Sequence, residues 1–186
     1  MNRTITPAGW LVPARRILSP NFNARPDPDD ISLVVLHNIS LPPGQFGGRD
    51  VHRLFTNTLD CSSCEAYAAL RGVCVSAHLF IDRAGEVTQF VPFSLRAWHA
   101  GVSSYDGRDN CNDFSIGIEL EGTDTTPYTD RQYKELADVL QHLLSHYPRL
   151  NAGRITGHSD VAPGRKTDPG PAFDWQRLHQ LLGERP

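Results

Sequence analysis

"SLVVLHNIS", residues 32–40, decides how the rest of the chain is read. Leu33, Val34, Val35 and Leu36 form an unbroken aliphatic run. Such a run suits a strand covered on both faces, as in the sheets of α/β domains. His37 and Asn38 interrupt it, and "LPPGQFGG" (41–48) follows as a Pro/Gly loop. Strand ends that open onto loops are where α/β sheets place ligand sites. His37 is therefore either a core histidine bonded to backbone or the first residue of a site.

"FSIGIELEG" (114–122) supplies a second strand. Ile116, Ile118 and Leu120 point one way; Ser115, Gly117, Glu119 and Glu121 point the other. The two carboxylates share a face, roughly 6.5–7 Å apart. An inward carboxylate is costly unless paired or bound, so one of them is a candidate general base. A solvated edge face is the competing reading. "SAHLFIDRAGEVTQFVP" (76–92) reads as a strand, a turn at 83–86 and a strand. "RDVHRLFTN" (49–57) predicts a short helix with Val51, Leu54 and Phe55 on one face. The clearest helix is "YTDRQYKELADVLQHLLSHYP" (128–148). Thr129 and Gln132 make a capping box, and Tyr133, Leu136, Ala137, Leu140, Leu143, Leu144 and Tyr147 recur at helical spacing. Pro148 ends it. "RITGH" (154–158) is a last short strand, and Asp174 N-caps a closing helix, "DWQRLHQLL" (174–182). Residues 1–30, rich in Pro, Asn and Arg, suggest an irregular N-terminal arm. Interleaved strands and helices predict an α/β fold: a single domain, 1–186, with a central mixed β-sheet flanked by α-helices.

The composition narrows the function. With 186 residues, 39% of them hydrophobic, the chain can bury one sizeable core. The net charge is −3 and no basic run is long enough to suggest nucleic acid. No apolar run approaches the ~20 residues of a membrane span, and no protein partner is implied. "MNRTITPAGWLVPARR" lacks the apolar stretch of a signal peptide, so a cytoplasmic location is expected. Cysteines there stay reduced. Cys61 and Cys64 form a C-x-x-C with Cys74 ten residues on, but a structural zinc needs a fourth ligand that no spacing supplies. Cys61, Cys64, Cys74 and Cys111 are read as packed or near-surface thiols.

A third stretch, "TGHSDVAPGRKTDPGPAFDW" (156–175), concentrates His158, Asp160, Lys166 and Asp168 among prolines and glycines. Two histidines and one carboxylate leave one position of a tetrahedral zinc open, the pattern of catalytic sites. A neighbouring lysine can stabilise an oxyanion. On residue types alone His37, His158 and Asp168 are candidate ligands, with His78, His99 and Asp160 as alternatives. His52, His142, His146 and His179 fall on helical positions and are read as surface residues.

"VVLHNISLPPGQFGG", "VSAHLFI", "RAWHAGVS", "CNDFSIGIELEGTDTTPYTDRQY" and "GHSDVAPGRKTDPGPAFDW" together closely resemble the 1,6-anhydro-N-acetylmuramyl-L-alanine amidases. That family shares its fold with the peptidoglycan recognition proteins. The likeness runs from about Gly9 to Trp175. It implies one zinc held by His37, His158 and Asp168, with Glu119 rather than Glu121 as the catalytic carboxylate and Lys166 as the catalytic lysine. It implies that Asn38 and Trp98 line the groove for the sugar and the start of the peptide. The activity implied is cleavage of the amide between the lactyl group of anhydro-muramic acid and L-alanine of the stem peptide, on soluble anhydro-muropeptides, during cell-wall recycling. "LDCSSCEAYAALRGVCVSAH" (59–78) departs from the family: an arginine that grips a peptide carboxylate falls at or beside Cys74, leaving Arg71 as its substitute. A second such arginine falls on Asn110, leaving Arg108. Two readings compete with hydrolysis of soluble muropeptides. A binding-only module would have lost a zinc ligand, and an enzyme of intact periplasmic peptidoglycan would be expected to carry a signal peptide.

Overall fold

A computed structural model describes residues 3–183. A six-stranded sheet runs, in order, through Ile155–Gly157, Leu33–Ile39, Ser115–Glu121, Leu79–Ile81, Val87–Gln89 and Arg15–Arg16. The first four are parallel neighbours; the Leu79–Ile81 and Val87–Gln89 strands form an antiparallel hairpin, so the sheet is mixed. This is the predicted α/β architecture.

Period two divides the sheet into faces. Val34, Leu36, Leu79, Ile81, Ile116, Ile118 and Leu120 pack into one cluster with Tyr133, Leu136, Ala137, Val139, Leu140 and Leu143 of the helix Asp130–His146. That helix starts where expected: Thr129 Oγ1 accepts from Gln132 N at 3.1 Å and Gln132 Oε1 from Thr129 N at 3.1 Å. On the opposite face Leu33 and Val35 pack with Ala100, Cys111, Phe114 and Val161. Farther along, Phe80 meets Val51, Leu54 and Phe55 of the helix Asp50–Phe55. Every residue of Ser115–Glu121 is buried. The solvated-face reading of that strand therefore falls, because helices and loops cover both sides.

Three expectations are corrected. The N-terminal arm is not wholly irregular: among its turns and loops the described residues form short strands. Thr4–Ile5 pairs with Leu11–Val12, Arg15–Arg16 forms the sheet edge, and Phe22–Ala24 pairs with Leu95–Ala97. Two- and three-residue strands are too short to show alternation, and their partners are remote in sequence. Gln89 holds this segment by accepting from Leu11 N at 2.7 Å and donating to Gly9 O at 2.9 Å. Second, His158 does not end a strand; it opens a one-turn helix, His158–Val161. Third, His52 is half-buried, its ring 5.4 Å from Phe80 and 5.5 Å from Phe90.

Candidate metal centre

The sheet brings three electron-rich atoms to one point. His37 continues the face that carries Leu33 and Val35, away from the long helix. Its partner across the parallel pairing is Glu119. His158 arrives from the next strand over, held in its helical turn by the Asp160 carboxylate, which accepts from Gly157 N and Thr156 Oγ1, both at 2.8 Å. Asp168 closes the triangle from the Pro/Gly loop. Ser159 N donates to Asp168 O at 2.9 Å, and the next residue, Pro169, accepts through its carbonyl from Tyr128 Oη at 2.8 Å and Asn38 Nδ2 at 3.1 Å. Gly170 lies at φ 81°, and a Cβ there would come within 2.3 Å of Asp124 Cα. The loop is stiff because its backbone is tied at both ends.

His37 Nδ1, His158 Nδ1 and Asp168 Oδ2 are 2.9, 3.1 and 3.0 Å apart. They are the three atoms among the described residues that could hold one metal ion. The far nitrogens explain why. His158 Nε2 donates to Ala100 O at 3.1 Å, and His37 Nε2 lies 3.0 Å from His99 Nδ1. Each neutral imidazole has one N–H; that of His158 is used behind the site, and that of His37 is used there when His99 Nδ1 accepts it. In that arrangement both Nδ1 lone pairs face the Asp168 carboxylate. Three such atoms repel one another unless a cation sits among them. A proton is a poor candidate, since burial pulls the His37 pKa down to about 4. A tetrahedral zinc with ligand bonds of about 2.0–2.1 Å needs donors about 3.3 Å apart. The triangle fits zinc to within a few tenths of an ångström and leaves one side open.

Glu119 is buried, and its Oε2 has no hydrogen-bond partner. Burial, then the Asp168 carboxylate, raises its pKa well above 4.5, with the exposed Lys166 opposing. Glu121 differs. Its Oε1 accepts from Gly47 N at 2.5 Å and its Oε2 from Arg83 N at 3.0 Å, so it clamps two loops. Residues 27–171 match the family model of N-acetylmuramoyl-L-alanine amidase. The chain belongs to the N-acetylmuramoyl-L-alanine amidase family. Among its relatives, the 1,6-anhydro-N-acetylmuramyl-L-alanine amidase AmpD of Enterobacter cloacae is 59% identical over 94% of this amidase and 92% of its own length. The crystal structure of a selenomethionine AmpD derivative superposes with a TM-score of 0.92 at 55% identity, covering 96% of this chain and 99% of that one. Escherichia coli AmiD, solved with the substrate anhydro-N-acetylmuramic acid-L-Ala-D-γ-Glu-L-Lys, superposes at 0.61 with 28% identity, covering 97% and 65%.

The remaining sequence candidates of the amidase fall in different places. Asn38 Nδ2 is spent on Asp124 Oδ1 at 2.8 Å and on Pro169 O. Trp98 is half-buried and donates from its indole to Asn23 Oδ1 at 2.8 Å. Arg71 is exposed at the end of a 3₁₀ turn, Glu65–Leu70. Arg108 is paired with Asp30 at 2.5 Å and lies over Phe114, 3.9 Å from the ring centre. Asn110 has φ 59°, a left-handed conformation that asparagine tolerates well. His78 and His99 are buried behind the triangle, Asp160 caps a turn, and none of the three joins it. All four cysteines are free thiols, and none joins a metal cluster among the described residues. Sequence reasoning missed Arg165, whose Nη2 donates to Ala100 O and Val102 O at 2.6 Å and so ties the Lys166 loop to the segment after His99. A lone arginine in a polar loop carries no sequence signal for that bridge.

Proposed function

We propose that this chain is a zinc-dependent amidase that cleaves the bond between the lactyl group of 1,6-anhydro-N-acetylmuramic acid and L-alanine of the stem peptide, acting on soluble anhydro-muropeptides in cytoplasmic peptidoglycan recycling. The observation that carries it is one buried, unpartnered carboxylate, Glu119, beside three inward-facing donors. High identity to an anhydro-muramyl amidase along almost the whole chain supports the substrate.

His37, His158 and Asp168 would hold the zinc, which when bound polarises a carbonyl and acidifies water towards ~7. The residues of the chain account for the rest. Glu119 takes a proton from the attacking water and returns it to the alanine nitrogen as the amide breaks. Its raised pKa suits that double role, because a carboxylate of ordinary strength takes up a proton reluctantly at neutral pH. Lys166 supplies positive charge for the oxygen that becomes negative. A shallow cavity of about 440 Å³ beside Asn38, lined also by Ser40, Thr123 and Asp124, is the place for the sugar and first peptide groups. Trp98 borders the peptide path. Arg71, whose guanidinium has no partner among the described residues, takes a peptide carboxylate, and Arg108 can contribute only by releasing Asp30.

Mass spectrometry of an anhydro-muropeptide mixture incubated with the protein tests this. Free stem peptides beginning at L-alanine should accumulate, and a chelator should stop them. Intact substrate, or turnover unchanged in verified metal-free protein, would refute the reading. Polymeric sacculi degraded faster than the soluble substrate would move the activity to the cell wall.

A further inference from the structure

The buried imidazole of His99 stands directly behind a metal ligand and is itself elaborately held. Its backbone N and that of Ala100 both donate to Asn112 Oδ1, at 3.1 and 2.8 Å. Its ring meets His37 edge-on, centroids 5.1 Å apart at 84°. Nδ1 faces His37 Nε2 at 3.0 Å, and Nε2 faces Ser115 Oγ at 3.2 Å. Room for the ring comes from Gly117: a Cβ there would lie 2.4 Å from His99 Cγ. Ser115, Gly117 and Glu119 share one strand face. That face thus seats His99, makes space for it, and then presents the carboxylate next to His37.

The hydrogen bonds run one way. For His37 to offer Nδ1 to a cation, its proton must be on Nε2. That N–H donates to His99 Nδ1, so the His99 proton is on Nε2, where it donates to Ser115 Oγ. We infer that His99 is a positioning residue: it fixes the tautomer and ring orientation of His37 through the chain His37–His99–Ser115, and so sets the affinity of the centre for zinc. This rests on the zinc reading above. Partners of this kind raise metal affinity by about 10–100-fold.

The test is zinc affinity by chelator competition on the purified protein, with the His37 tautomer in the metal-free form read by long-range ¹H–¹⁵N correlation. Wild type should bind one zinc and show His37 protonated at Nε2. His99→Leu, which fills the space without an acceptor, should bind zinc about 10–100-fold more weakly and show a mixed His37 tautomer. His99→Asn, whose amide oxygen can occupy the place of Nδ1, should restore most of both. If His99→Leu fails to fold, as judged by near-UV circular dichroism, Ser115→Ala decides: losing the outer acceptor should weaken zinc and loosen the tautomer in the same sense. Wild-type affinity and an unchanged tautomer in the deciding variant would overturn the inference while leaving the zinc reading intact. Absence of zinc binding by wild type would overturn both.

Discussion

Glu119 and Glu121 are two residues apart on one strand face and have opposite environments. Glu121 has both oxygens committed to backbone N–H groups, whereas Glu119 has a buried oxygen with none. Glu119→Gln should keep stoichiometric zinc and lose about 10²–10⁴ in turnover, the usual worth of a general acid–base group. Glu121→Gln should lose far less rate but about 2 kcal/mol of stability, because a charge-assisted acceptor becomes an amide facing an N–H. Parallel assays of kcat/KM, bound zinc and urea denaturation separate the two, and the reverse pattern would exchange their roles. The raised Glu119 pKa adds a pH signature in metal-free protein. The folded state keeps a proton that the unfolded state releases near 4.5, so this group lowers stability as pH rises above that value. Glu119→Gln should therefore be more stable than wild type at pH 7, and the difference should vanish below about pH 4.5. Equal stability at both pH values would show that Glu119 is not held in a charge-averse place.

At the level of elements, the Ser115–Glu121 strand couples core to site. Ile116, Ile118 and Leu120 anchor it on the long helix, while the other face presents Glu119 beside His37. Gly117→Ala should cost about 1–3 kcal/mol, since overpacking forces the ring of His99 aside, and should weaken zinc binding as well. Denaturation and chelator competition on that variant check both effects; a loss of stability with untouched zinc affinity would uncouple Gly117 from the metal. The long helix offers a control remote from the metal. Thr129→Ala removes the cap and a bond from Thr129 Oγ1 to Arg83 O, and should cost about 1 kcal/mol with zinc affinity unchanged.

For the whole molecule, three repelling donors make the metal-free state the weaker one. Ligand binding to the native state alone adds about 4 kcal/mol at a thousandfold excess over Kd. At roughly 2–4 °C per kcal/mol for a chain of this size, zinc should raise Tm by about ten degrees. Scanning calorimetry with and without zinc should show that rise in wild type and none in Asp168→Ala. The cysteines contribute nothing to this centre. A Cys61→Ser, Cys64→Ser, Cys74→Ser protein should retain one zinc and the same Tm shift. Cys111 is different: it is fully buried against Leu33, Val35 and Phe114, so Cys111→Ser should cost about 1–3 kcal/mol for its buried hydroxyl.

Much of this was legible in the chain itself. The aliphatic run 33–36, the alternation at 115–121 and the capping box at Thr129 are local patterns. Burial of one face dictates them, so they named the main strands, the long helix and the α/β class. Two histidines and an aspartate beside loops pointed to a candidate metal site for the same reason, since metal chemistry demands those residue types, and the fold brings the three together. What the sequence left open depends on contacts between segments far apart. Alternation put Glu119 and Glu121 on one face but could not say which one backbone amides would occupy, because those amides come from Gly47 and Arg83. The short N-terminal strands exist only through remote partners. His99 could not be told from a ligand until packing set it behind His37, since both are buried histidines and only the direction of their nitrogens differs. The tertiary structure decided those orientations, because a side chain's hydrogen-bond partners are fixed by which strands pair and in what register, and no local pattern carries that information.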